Sequence, residues 1–181
     1  MLNPDALQHA IKKLKQPRPL WSPGQNTVDV TYNKPEIHKI LEHRPPFSLL
    51  DGISQIDLEQ AAIKGHSLVH KDNPVFKGHF PGNPVYPGVL QIEIMGQMAF
   101  ALAYFMQNST CFISEDVPPI KALFTKTHHA AFIHPVYPGE RLEILAKAIA
   151  YDDLSGTFSA QLFKAETLCS YLILEIYFKD E

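Results

Sequence analysis

Three residues suited to proton chemistry lie close together in the stretch GHFPGNPVYPGVLQIEIMGQ, residues 78–97. His79 sits among Gly78, Phe80, Pro81 and Gly82, a loop with little conformational freedom. An imidazole titrates near neutrality, and a stiff loop fixes it at low entropic cost, which suits a general base. Glu93 follows in an apolar run. A carboxylate buried alone is costly, so it must be paired, neutral or open to a cavity. In an apolar pocket its pKa is expected to rise, which prepares it to give up a proton near neutral pH. A plainer role is also open, since a carboxylate in the first two turns of a helix complements the helix dipole. Gln97 lies four residues on and can hydrogen-bond the Glu93 carboxyl. Gly88 opens the same run, and its N–H would point unsatisfied from the positive end of a helix, where a carbonyl oxygen gathering charge could be held. Base, acid and oxyanion donor together suit removal of a proton α to a carbonyl with loss of a β-hydroxyl.

These groups need elements to position them. From Val89 to about Met106 there is no proline, Pro87-Gly88 punctuates the start and Asn108 the end. The pattern predicts a helix roughly 27 Å long at 1.5 Å per residue. Its apolar residues occupy nearly every face, as in a helix buried all round. Residues 4–16 read as a short amphipathic helix, 17–30 as a connector and 35–42 as a second short helix. FSLLDGISQID (47–57) and AAIKGHSLVH (61–70) read as paired extended segments. After the long helix, segments 120–133, 140–153, 156–166 and 168–180 alternate apolar residues between short breaks and read as strands of one antiparallel sheet. LEILAKAIAY (142–151) has helical propensity, but its place after the turn Tyr137-Pro138-Gly139 favours a strand. The fold class expected is α+β, one long buried helix under an antiparallel sheet. The domain division expected is an arm over residues 1–33 and a catalytic domain over 34–181. PVYPGV (84–89) echoes PVYPGE (135–140), but the flanks differ and both read as turns.

The totals narrow the function. With 181 residues, 45% of them hydrophobic, the chain can bury one core. A net charge of −3 argues against a general nucleic-acid binder. Lys12, Lys13, Lys15 and Arg18 form the one concentrated patch of positive charge, read as a solvated helix face or a landing patch for an acidic partner. Cys111 and Cys169 show no metal spacing and suggest a reducing compartment. The N-terminus lacks the apolar core of a signal peptide. The apolar run 94–106 is shorter than the ~17–20 residues that span a bilayer. A soluble cytoplasmic protein without a membrane span is expected. His66, His70, His128 and His129 fall into no metal-binding spacing, and no nucleotide-binding fingerprint or nucleophile elbow is present. No metal or organic cofactor is expected.

HRPPFSLLDGI (43–53), GHFPGNPVYPGVLQIEIMGQMA (78–99) and FIHPVYPGERLEI (132–144) resemble the β-hydroxyacyl-acyl carrier protein dehydratases of the FabZ type, relatives of the FabA type. The resemblance runs from about residue 35 to the C-terminus. It implies a hot-dog fold, and a homodimer with two sites at the subunit interface, His79 coming from one chain and Glu93 from the other. Further association into a trimer of dimers is part of the family pattern. It implies a hydroxyacyl thioester on acyl carrier protein as substrate, lying in an apolar tunnel along Phe80, Tyr86 and Val89. His79 matches the base that takes the C2 proton, Glu93 the acid that protonates the departing C3 hydroxyl, Gly88 the donor to the thioester carbonyl, and Gln97 the support of the acid. Glu93 in place of aspartate favours dehydration without isomerisation.

The chain departs from the family pattern at Tyr86 and Tyr137, where methionine is usual, at Ala131, where arginine is usual, and in its arm of roughly 30 residues. These departures point to a specialised fatty-acid, polyene or polyketide pathway. Two other functions share the fold. A hot-dog thioesterase would release a free acid, and retention of the His/Glu pair at dehydratase spacing argues against it. A non-catalytic acyl-binding subunit could dispense with His79 or Glu93, and both are present.

Overall fold

The computed structural model describes residues 3–179. Helix α1 (Pro4–Leu14) is capped by Asn3, whose side chain accepts from the Ala6 N–H at 2.7 Å. Then come β1 (Val28–Asn33), α2 (Lys34–Ile40), β2 (Gly52–Asp57), β3 (Ala62–Leu68), a 3-10 turn (Pro74–Lys77), α3 (Gly88–Gln107), β4 (Ala122–Phe132), β5 (Arg141–Tyr151), β6 (Ser155–Lys164) and β7 (Thr167–Phe178). The seven strands form one sheet in the order β1-β2-β3-β5-β6-β7-β4, with every neighbouring pair antiparallel. The α+β expectation holds, and LEILAKAIAY lies in β5.

Helix α3 is the hub of the main core. Met95, Met98, Leu102, Tyr104 and Phe105 are all but sealed from solvent, packed with Ile63, Ile144, Phe158 and Leu172 from the sheet. By length and composition alone α3 could cross a membrane, but here the sheet and α2 cover it. Gly65 is required under it: a side chain there would run into the Gly52 carbonyl at 2.3 Å.

The opposite face of the sheet is covered too. Ile11 and Leu14 of α1, together with Trp21, pack on Leu145, Phe163, Tyr171 and Ile173. That accounts for a feature of β6 and β7, which are buried almost without alternation, as strands covered on both faces are. Gln161, fully buried on β6, ties the arm down. Its amide donates to the carbonyls of Leu14 (3.0 Å) and Arg18 (3.3 Å) and accepts from the Leu20 N–H at 2.7 Å. Helix α1 and the residues up to Trp21, within the segment expected as an arm, therefore pack on the back of the sheet. Part of the expected connector, residues 28–30, also belongs to β1, an edge strand paired with β2. Its six residues alternate in burial, but the charged and polar Asp29, Thr31 and Asn33 weaken the strand signal in the sequence.

Candidate active site

The loop before α3 holds His79 from several sides. The 3-10 turn Pro74–Lys77 starts under the Asn73 side chain, and the His79 N–H donates back to the Val75 carbonyl at 3.0 Å. The Val85 N–H donates to the His79 carbonyl at 2.9 Å, closing the loop, and Gly82 turns it at φ +78°. The ring is fixed as well: Nδ1 lies 2.8 Å from the Val85 carbonyl. A carbonyl only accepts, so Nδ1 carries a proton, and in the neutral ring Nε2 keeps the lone pair. The Phe80 ring stacks on the imidazole at 4.1 Å between centroids.

Gly88 begins α3 behind Pro87, which offers no capping side chain. Leu90 and Gln91 donate to the Pro87 carbonyl, and among the described residues no acceptor meets the Gly88 N–H. The Phe132 ring lies where a side chain at position 88 would project, with a Cβ meeting it at 2.8 Å. Glycine at the helix start thus leaves room for β4 to bring Phe132 close.

Glu93 lies on the second turn, partly buried, its side chain 23% exposed. Gln97 Nε2 donates to Glu93 Oε1 at 2.8 Å and to the Phe47 carbonyl at 2.7 Å, while Gln97 Oε1 accepts from the Leu49 N–H at 3.0 Å. One buried amide thus joins the carboxyl to the loop 43–50. The same loop brings His43, whose Nε2 stands 3.4 Å from Glu93 Oε1, a long contact for a hydrogen bond. These contacts reverse an expectation. Burial does push the Glu93 carboxyl up, but the bonding from His43 and Gln97 and the charge of His43 outweigh it and hold the carboxyl below its ordinary value.

His43 escaped the sequence reading. Nothing local in the HRPPF stretch shows that its imidazole crosses fifty residues to reach Glu93. Gln97 was legible because residues four apart on a helix must be neighbours. Within the chain, and among the described residues, Glu93 pairs with His43 and Gln97 and makes no ion pair with His79.

The three expected tunnel residues part company. Phe80 and Val89 are exposed, whereas Tyr86 is buried against Phe76 and borders a cavity of about 170 Å³ with Lys34, Ser48, Asp51, Ser67 and Asn73. Burial, with the charges of Asp51 and Glu93, raises the Tyr86 phenol to about 12. Two larger depressions, about 820 and 670 Å³, lie over β3, β5 and β6 and beside α1, and neither has His79, Gly88 or Glu93 in its wall. Among the described residues no three His, Cys, Asp or Glu side chains gather as metal ligands.

Residues 41–167 match the family model described as a FabA-like domain. Curated relatives named 3-hydroxyacyl-[acyl-carrier-protein] dehydratase FabZ include that of Campylobacter concisus, 34% identical over 81% of this chain and 97% of its own. That of Sulfurovum sp. is 40% identical over 62% of this chain and 74% of its own. Among solved structures, the dehydratase heterocomplex ApeI:P of Xenorhabdus doucetiae superposes with a TM-score of 0.60 at 17% identity, over 80% of this chain and 91% of that one. The PaaI protein of E. coli superposes with a TM-score of 0.51 at 13% identity, over 71% of this chain and 78% of its own. At such identities the structures speak for the fold alone, which is the hot-dog fold expected from the sequence.

Proposed function

This chain belongs to the FabA-like family, in its FabZ type, and from that premise we propose that it is a hydro-lyase removing water from (3R)-3-hydroxyacyl thioesters carried on acyl carrier protein. The observation that carries the reading is the His79 ring, locked by Val85 with Nε2 bare and ready to accept a proton. In the proposed reaction Nε2 takes the C2 proton. The electrons pass toward the thioester carbonyl, whose oxygen is held by the Gly88 N–H at the positive end of α3. The C3–O bond breaks, the hydroxyl takes a proton from Glu93 and leaves as water, and a trans-2-enoyl thioester remains. Solvent then removes the proton from His79 and returns one to Glu93. Closing the site over substrate strips the water still reaching Glu93 and works against the pull of His43 and Gln97 on its carboxyl.

The working unit proposed is a homodimer, with trimers of dimers as its further assembly and the cytoplasm as its compartment. Two features support a shared site: Glu93 finds no partner in His79 of its own chain, and Phe80, Val89 and Phe132 stand exposed. No organic cofactor or metal enters the scheme. The proposed pathway is fatty-acid biosynthesis or a related polyene or polyketide pathway, the specialised acyl group resting on Tyr86, Tyr137, Ala131 and the arm.

The test is incubation of the purified protein with 3-hydroxyacyl-carrier-protein substrates of graded chain length, followed by mass, with His79→Ala as control. An enoyl thioester formed by the wild type and not by the variant is the expected result. A free acid would make the protein a thioesterase instead, and unchanged substrate at every chain length would overturn the reading in favour of an acyl-binding subunit.

A further inference from the structure

We propose that His43 is a positioning residue for the Glu93 acid: with Gln97 it holds Oε1, so that the proton to be transferred sits on Oε2. The inference rests on the dehydratase reading for what that proton does, and on the geometry for where it sits.

Glu93 Oε1 faces two nitrogen donors, Gln97 Nε2 at 2.8 Å and His43 Nε2 at 3.4 Å. The Gln97 amide cannot turn round, because its nitrogen also serves the Phe47 carbonyl and its oxygen the Leu49 N–H. An oxygen that accepts from two N–H groups has no room for a proton of its own. Oε2 has no hydrogen bond among the described residues. A protonated Glu93 therefore carries its proton on Oε2.

The ring of His43 supports the same arrangement. Its Nδ1 is buried without a hydrogen-bond partner, and Phe100 packs against the ring at 5.8 Å between centroids. A proton on Nδ1 would be a buried donor without an acceptor, and it would leave the Nε2 lone pair facing the lone pairs of Oε1. A proton on Nε2 avoids both. The 3.4 Å separation suits a site without substrate, since catalytic hydrogen bonds are often long before the substrate closes them.

The charged and titratable neighbours are few. The Arg44 guanidinium is turned to the backbone oxygens of Leu41, His43 and His38. His38 bonds Ser48, and Asp51 is paired with Lys34 at 2.7 Å. Glu42 is exposed, and from the loop before α3 the Tyr86 phenol senses both Asp51 and Glu93. On α3 the polar neighbours Gln91 and Gln97 are uncharged. His43 is thus the ionisable group in contact with Glu93, and its loss removes part of what holds the carboxyl down, leaving Gln97 against burial. Dehydration requires the protonated acid, so its rate falls as pH rises through the Glu93 pKa. Without His43 that alkaline limb moves to higher pH.

The experiment compares wild type, His43→Ala and His43→Gln in kcat and KM across pH. Glutamine keeps an N–H donor in the place of Nε2. In His43→Ala, kcat at its best pH is expected to fall about tenfold or more with KM within about threefold, and the alkaline limb to move up. His43→Gln is expected to recover kcat to within about threefold and to return the limb. An alanine variant within about twofold of wild type with an unmoved limb overturns the proposal. So does a glutamine variant as impaired as alanine, when both melt like wild type. Nitrogen NMR of the His43 ring in the full-length protein at neutral pH, without substrate, is the independent arm. An Nε2–H tautomer is expected, and an Nδ1–H tautomer overturns the positioning role whatever the substrate proves to be. A wild type that dehydrates nothing sinks the dehydratase reading alone, and the tautomer still decides the contact.

Discussion

An imidazole whose Nδ1–H is engaged by the Val85 carbonyl has one nitrogen left for chemistry, and a carboxyl held on one oxygen has one left as well. In the proposed reaction each side chain would act through a single atom, because backbone and amide groups occupy the other. Glu93→Gln is nearly isosteric and keeps an oxygen for Gln97, so its fold should survive, but the amide has no acidic proton. Turnover should fall by about 10²–10⁴-fold, as for loss of a general acid, with the melting temperature little changed. Near-normal turnover in that variant removes Glu93 from the role of acid. Gly88 gives a second residue-scale test. A Cβ there meets the outer end of the half-exposed Phe132 ring at 2.8 Å, so Gly88→Ala should displace that ring and lower stability by about 1 kcal/mol. Because the obstacle is a side chain, Phe132→Ala in the same chain should return much of that loss, which a double-mutant cycle in urea would read as coupling between the two sites. Of these residue-scale facts the sequence disclosed the candidates and the Glu93–Gln97 spacing. It did not disclose the direction of the Glu93 shift, because burial follows from local composition whereas His43 arrives from a loop fifty residues away.

At the scale of elements, α3 and the four strands after it were legible from an apolar helix without proline and then apolar-rich segments parted by short breaks. β1 was not, since Asp29 and Asn33 in an edge strand look like loop composition until β2 is beside them. The arm's role was illegible for the same reason. Leu7, Ala10, Ile11 and Leu14 announce an apolar stripe but not the sheet face that receives it. Leu14→Ala should therefore destabilise the whole domain by about 2–5 kcal/mol, as core truncations do. A loss near zero in urea unfolding would make the arm an ornament. The turn after β2 carries a pH dependence. Asp57 is buried, which pushes its carboxyl up, but hydrogen bonds from the Gln60 backbone and from the Thr27 and Gln60 side chains outweigh that and hold it below its ordinary value. A carboxyl lowered on folding contributes stability above its unfolded pKa, about 3.9, and that stability is lost as pH falls through the folded value. The urea midpoint should drop on acidification below about pH 4, and Asp57→Asn, less stable at neutral pH, should drop less steeply. Equal slopes for the two proteins would remove Asp57 from the acid response.

For the whole molecule, the two groups proposed to act sit on one chain yet make no ion pair within it. Glu93 faces the loop 43–50, while His79 is held by its own loop and stacks on an exposed Phe80. β4 ends the sheet with one edge unpaired, carrying exposed Leu123 and Phe132, and Val89 at the head of α3 is among the most exposed apolar residues described. A two-fold dimer places the same patch of both chains together, so each chain can lend His79 to one site and Glu93 to the other. That arrangement has a consequence no single-chain site can imitate. His79→Ala and Glu93→Gln chains should each be inactive alone. In a mixed dimer one of its two sites inherits both defects, and the other inherits both wild-type residues. Denaturing and refolding equal amounts together gives homodimers and mixed dimers at random, and turnover should return to about a quarter of wild type, since half the dimers hold one intact site of two. Mixed dimers isolated through a tag on one variant should reach about half. If such dimers, confirmed by mass, stay as inactive as their parents, His79 and Glu93 serve one site within one chain, and the loop before α3 must swing toward the second turn when substrate binds.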